Sequence, residues 1–129
     1  MASELKVDKF TGVTTAGSID VTGEGNSTTT NLQQGLAKSW VNFKMAASFV
    51  TNDSFNVASI TDNGTGNGTV NITNAMNNDD YSVTVSSQSI NILNLESSQA
   101  ANLFQILTYN SSVAATDYQV SASVNGDLA

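Results

Sequence analysis

At 129 residues and 13.4 kDa the chain is long enough for one two-layer β core and too short for two. Roughly a third of its residues are Asn, Ser or Thr and only 12% are charged, which favours strands and polar turns, because Thr and Val suit a pleated surface whereas Asn and Ser compete with helical backbone bonds. Eleven acidic residues stand against four lysines (Lys6, Lys9, Lys38 and Lys44) and no arginine, a net charge of −7 that leaves no basic face for nucleic acid or an anionic membrane surface.

From Met1 to about Gln34 the chain is polar, with short apolar alternations at Leu5/Val7 and Ile19/Val21 separated by Gly12, Gly17, Gly23 and Gly25. Such a stretch forms brief strands or lies extended, and it cannot bury much by itself. It reads as an arm that needs a partner surface. The run Asn26-Ser-Thr-Thr-Thr-Asn31 is low-complexity and suits an exposed extended linker better than a helix. The start, Met1-Ala-Ser-Glu-Leu-Lys-Val-Asp8, lacks the basic and apolar segments of a secretory signal, so the expectation is assembly inside the producing cell. On that view the six Asn-x-Ser/Thr triplets, at Asn26, Asn52, Asn63, Asn67, Asn71 and Asn110, are coincidences of composition.

From Gly35 onward period-2 alternation recurs. Val41/Phe43/Met45, Phe55/Val57, Val70/Ile72, Tyr81/Val83/Val85, Ile90/Ile92, Phe104/Ile106 and Tyr118/Val120/Ala122/Val124 each place one apolar face on a strand. The polar alternates, such as Asn42, Lys44, Asn71, Thr84 and Ser121, then face water or a neighbouring subunit. The expected fold is all-β: an antiparallel, jelly-roll-like β-sandwich of about seven to eight strands over residues 35–129, behind an extended N-terminal arm over residues 1–34. Asp62-Asn-Gly-Thr-Gly-Asn-Gly68 supplies the positive φ angles of a hairpin loop, and Asn77-Asn-Asp-Asp80, Asn110-Ser-Ser112 and Asn125-Gly126 mark further turns. Within Glu96–Leu107, Ala100, Leu103, Phe104 and Leu107 also match helical spacing, so a strand, which we favour, stands against a short helix.

The chain has no His and no Cys, which removes the usual general base, the imidazole and thiolate metal ligands, the Ser-His-Asp and Cys-His constellations and any disulfide. Asp79-Asp80 is the one adjacent carboxylate pair, and its Asn-Asn-Asp-Asp setting reads as a turn. Asp62, Asn63 and Asn67 put oxygen ligands on a glycine-rich loop, but the spacing is not that of an EF-hand and brings a single carboxylate, so a hairpin is the better reading than a calcium site. We therefore expect no enzyme, no cofactor and no bound metal. No apolar run approaches the ~20 residues that span a bilayer, so membrane insertion is not expected either. Trp40 alternates with Val41, Phe43 and Met45 and so falls on the face opposite the core, where an interface role is favoured over ligand binding. The candidate interface residues are Leu5, Val7 and Phe10 of the arm, with Leu36 and Trp40 at the start of the sandwich.

At Gly35-Leu-Ala-Lys-Ser-Trp-Val-Asn-Phe43 the sequence resembles a module recurrent in phage tail-fibre and small virion proteins, written Gly-Leu-Ala-Lys-x-Trp-Val/Cys-Asn-Phe. The likeness continues at Asp53-Ser-Phe-Asn-Val-Ala-Ser-Ile-Thr-Asp-Asn-Gly-Thr-Gly66, Thr69-Val-Asn71, Asn78-Asp-Asp-Tyr81 and Val124-Asn-Gly-Asp-Leu-Ala129, and the opening Leu5-Lys-Val-Asp8 is similar to the start of marine-phage structural proteins of this kind. Where that module turns through Asn-Gly-Thr-Gly after its first strand, this chain has Lys44-Met-Ala-Ala-Ser48. The resemblance implies a β-rich virion component, often trimeric, with no catalytic residue to carry over. The resulting expectation is a trimeric capsid decoration (cement) or short head-fibre protein, assembled in the host cytoplasm and bound to the major capsid protein through its arm. The alternative is a tail-fibre or tail-tip protein that contacts other tail proteins and a host receptor or surface glycan.

Overall fold

The computed structural model describes residues 4–13, 19–23, 28–87, 92–95 and 98–128. The chain divides into two compact units, Met1–Leu36 and Ala37–Ala129.

In the first unit, residues 4–13 have no regular secondary structure. Two short strands follow, β1 (Asp20–Thr22) and β2 (Thr29–Asn31), paired antiparallel with Val21 opposite Thr30. The Gly23 N–H donates to the Thr28 carbonyl at 2.8 Å, and the Leu32 N–H donates to Ile19 at 2.8 Å, closing both ends of the hairpin. The β-branched threonines expected to lie in a linker thus form the second strand of a ladder, because Val21 and Thr22 supply a partner at the right separation. Asn26 and Ser27 of that linker, like Gly17 and Gly25 of the arm, lie outside the described residues. Asn31 then ends the strand and caps a single helical turn, α1 (Leu32–Gly35), its side-chain oxygen accepting the Gln34 N–H at 3.1 Å.

The second unit is a sandwich of two four-stranded antiparallel sheets. One runs in the order β4 (Val50–Phe55), β3 (Ser39–Lys44), β10 (Gln119–Asn125), β7 (Ser82–Ser87). The other runs β5 (Val57–Asp62), β6 (Asn67–Ile72), β9 (Leu103–Tyr109), β8 (Ile92–Leu95). The alternation read from the sequence is the alternation of burial. Val41, Phe43, Val70, Ile72, Phe104, Ile106, Val120, Ala122 and Val124 all point between the sheets. Met45 continues the β3 set, and Phe49, on the way to β4, folds back so that its ring lies 6.0 Å from that of Phe43 at 38°. Leu103–Tyr109 is a strand, and its inward set ends on the buried Thr108, whose hydroxyl donates to the Thr116 carbonyl at 2.5 Å. Ile90, read with Ile92 as one strand face, and Glu96 and Ser97 lie outside the described residues.

One expected strand is two. Phe55 and Val57 alternate as if on one ladder, but Asn56 between them has φ 57°, in the left-handed region that Asn tolerates better than most residues. β4 therefore ends at Phe55 in one sheet, and β5 begins at Val57 in the other. The Asn56 side chain fixes the crossing. Its amide donates to the carbonyls of Lys38 (2.9 Å) and Asn74 (3.2 Å), and its oxygen accepts the Asn74 N–H (2.8 Å). The Ser39 hydroxyl, fully buried, reaches the Phe55 carbonyl at 3.2 Å from the other side.

Two backbone positions are set by close approach or strain. A Cβ on Gly68 would stand 2.7 Å from Phe49 Cε2 and 3.4 Å from Met45 Cε, so any larger residue on this inner face of β6 must displace the Phe49 ring. Val113 holds φ 59° in a turn built on Asn110, whose side-chain oxygen accepts the N–H groups of Ser112 and Ala114 at 2.9 and 3.0 Å. A β-branched residue there is strained. Gly68→Val should lower the unfolding free energy by about 2 kcal/mol through overpacking. Val113→Gly should raise it by about 1 kcal/mol by relieving the turn. Denaturant unfolding of the two variants beside the parent checks both signs; a stabilised Gly68→Val protein would contradict the packing described.

Candidate functional site

With the core apolar and its few polar groups bonded, what the protein offers a partner lies on its faces. Among the described residues no buried side-chain nitrogen or oxygen lacks a hydrogen-bond partner, and no group of three or more acidic, His or Cys side chains converges. Asp79 and Asp80 sit on an exposed turn, where the Asp80 N–H donates to Asn78 Oδ1 at 3.0 Å. Gln99 ties that turn down by donating to the carbonyls of Asp79 (2.6 Å) and Tyr81 (2.8 Å). In the glycine-rich hairpin Asp62 accepts the Gly64 N–H at 2.8 Å, while the Asn63 amide donates to Thr69 Oγ1 at 2.7 Å and Asn67 Oδ1 at 3.3 Å. Asp62 and Asn67 thus each use a side-chain oxygen to hold the loop. Gly66, with φ 68°, is buried in it, its N–H on Asp117 Oδ1 at 2.7 Å and a would-be Cβ 2.5 Å from the Thr108 carbonyl.

The outward face of the β4-β3-β10-β7 sheet is built from the alternates of the core positions. Trp40 stands in register with Phe55 on β4 and Ser123 on β10, and Ser123 in turn with Thr84 on β7. Trp40 is 38% exposed and Phe55 54%. One row on, a bulge between Asn42 and Phe43 brings Asn52 beside Asn42. Asn42 Oδ1 then accepts from Asn52 Nδ2 at 2.6 Å and Gln119 Nε2 at 3.0 Å, while its own amide donates to Ser121 Oγ at 2.6 Å. Lys44 and Asp53 are the charged residues of this face. Its sequence signal was visible for Trp40 and Asn42. Phe55 was assigned to the core because its alternation with Val57 runs through the Asn56 crossing.

The other candidate interface residues belong to the first unit, and all are exposed: Leu5 72%, Phe10 61%, with Val7 and Leu36 about half. Val13, on the same irregular segment, is also exposed. Lys6 pairs with Glu4 at 3.4 Å, an exposed contact that adds little.

At one end of the sandwich the last described residues lie beside two titratable groups, Lys38, whose burial the sequence did not mark, and Tyr81, which the alternation placed on an apolar strand face. Lys38 is buried, and burial holds its ammonium below the usual lysine range, partly offset by the Asp127 carboxylate. Asp127 sits on a terminal strap whose carbonyl accepts the Asn77 N–H at 2.8 Å, next to a bridge between Met76 and Leu128. Tyr81 is buried, its single hydroxyl proton shared between the carbonyls of Leu103 (2.6 Å) and Ala100 (2.9 Å), and burial, helped by Asp79, pushes its pKa up to about 12. Because the raised value favours the protonated form only in the folded state, the stability it lends is whole below about pH 10 and is lost as pH climbs towards 12. Absorbance titration should therefore show a tyrosinate component appearing only near pH 12, and Tyr81→Phe should remove that component and lower the unfolding free energy at neutral pH by about 1 kcal/mol. A Tyr81→Phe titration identical to the parent's would refute this placement.

No family model, no curated protein and no solved structure matches this chain. No helix among the described residues is long and apolar enough to cross a membrane.

Proposed function

We propose that this chain is a structural protein of the phage particle surface, a capsid decoration or short head-fibre protein that forms a homotrimer and attaches through its N-terminal segment. The observation that carries this reading is the segment itself. Over residues 4–13 it has no regular structure and exposes Leu5, Val7, Phe10 and Val13, four apolar side chains in ten residues. Such a stretch gains little by standing in water, and each large apolar side chain covered by a partner returns on the order of 1.5–3 kcal/mol. An extended chain of that length also reaches about 30 Å, enough to lie across a neighbouring subunit. The phage setting comes from the Gly35–Phe43 block and the motifs that follow it. The acidic charge of −7 keeps the free protein soluble and works against nucleic acid as the ligand of the arm.

The test is attachment. Added to phage particles that lack it, the full chain should co-sediment with them, and the double variant Leu5→Asp/Phe10→Asp should lose at least tenfold in bound protein while its unfolding midpoint stays unchanged. Equal binding by the variant would remove the arm from the attachment, and no binding by the parent would remove the particle as its partner. Sedimentation equilibrium of the isolated protein checks the trimer; a monomer at micromolar concentration would count against it.

A further inference from the structure

We propose that the outer face of the β4-β3-β10-β7 sheet is a binding site for a neutral carbohydrate chain, with the Trp40 and Phe55 rings as a stacking platform and the amides around Asn42 as the groups that bond sugar hydroxyls. Pyranose rings present patches of C–H bonds that lie well on exposed aromatic faces, and their hydroxyls need partners that both donate and accept. This face has both, in adjacent rows. Trp40 and Asn42 are two residues apart on one strand, a separation of about 6.8 Å, close to the span of one pyranose ring with its substituents. On the neighbouring strand Phe55 stands in register with Trp40.

The amide row is organised without a ligand. Asn42 uses its oxygen for Asn52 and Gln119 and its nitrogen for Ser121, which holds three side chains about its own. Among the described residues the carbonyl oxygens of Asn52 and Gln119 are left without a protein donor and are available to a sugar hydroxyl. Across the sheet the same rows continue as hydroxyls, Ser123 and Thr84 beside the rings and Ser121 and Ser86 beside the amides. The two rows run across four adjacent strands, a breadth that suits a chain of sugars more than a compact small molecule.

Charge and area select this ligand over others. Lys44 and Asp53 cancel on the face, and a chain of net charge −7 repels acidic polysaccharide. A protein partner is poorly served. From rings that bury about 150–250 Å² each when fully covered, the exposed parts of Trp40 and Phe55 amount to on the order of 200 Å². A stable protein interface covers about 800 Å² per partner around an apolar centre, and beyond the two rings only Val50, opposite Lys44, adds a large exposed apolar side chain to the described residues of this face. Here the next row is amides and hydroxyls.

Trp40 is the one tryptophan in the chain, so its emission reports on the site directly. The full-length protein is titrated with neutral hexasaccharides of glucose, mannose, galactose and N-acetylglucosamine, and with hexagalacturonate as the acidic control. At least one neutral hexasaccharide should give a saturable shift of Trp40 emission at millimolar or lower concentration, and hexagalacturonate none. Phe55→Ala, at an exposed position, should weaken that binding at least tenfold with no change in unfolding midpoint, whereas Leu5→Asp/Phe10→Asp should leave it intact, which separates this proposal from attachment by the arm. No saturable shift with any neutral sugar, or unchanged affinity in Phe55→Ala, would overturn the proposal. So would a fall in the mass of the assembled protein on Phe55→Ala, since the face would then be a contact between copies.

Discussion

At Gly68, on the inner face of β6, the ring of Phe49 occupies the space a side chain would need. That contact lies against the core of the second unit. It lets β6 lie against β3 without a Cβ between them, so Phe43 and Phe49 pack side by side and Met45 reaches the same point. Around it the alternating apolar residues of β3, β10, β6 and β9 interdigitate, and each outward residue is placed by the inward neighbour on either side. Trp40 and Asn42 face out because Val41 and Phe43 face in.

The sandwich is closed with few charges and many amides. Asn56 turns the chain from one sheet to the other and bonds three backbone groups as it does so, and Asn110 and Asp62 hold their loops by accepting backbone N–H groups in the same manner. A short side chain with both a donor and an acceptor can satisfy backbone groups that a tight connection leaves unpaired. This explains why a protein so rich in Asn, Ser and Thr has no buried side-chain polar atom without a partner among its described residues. Lys38 is the exception in kind: a cation taken out of water at the start of β3, with Asp127 of the terminal strap as the charge that moderates its cost.

The two proposals rest on different parts of the chain and on different physics. Attachment through residues 4–13 draws on apolar side chains that are about half or more exposed. Carbohydrate binding draws on a rigid strand face whose polar groups are already ordered, so little conformational freedom is lost when a ligand arrives. A particle-surface protein with both properties would have one element for holding on and another for contact with its surroundings.

The period-2 pattern from Val41 to Val124 was enough to establish an antiparallel sandwich and most of its core, because burial on one face of a strand leaves a mark at every second residue. The same rule put Trp40 outside. Absence of His and Cys was equally legible, and it moved attention from pockets to surfaces. Local pattern could not reveal where the chain changes sheets: Phe55 and Val57 alternate correctly, yet one φ angle at Asn56 sends them to different layers. Nor could it show strand Val50–Phe55, an edge strand exposed on most of its length and therefore free of the alternation that burial imposes. The meeting of Trp40 with Phe55, and of Asn42 with Asn52, Gln119 and Ser121, depends on register and a bulge between strands up to 79 residues apart. Pairing at that distance is decided by the packing of the whole sandwich, and no window of sequence contains it.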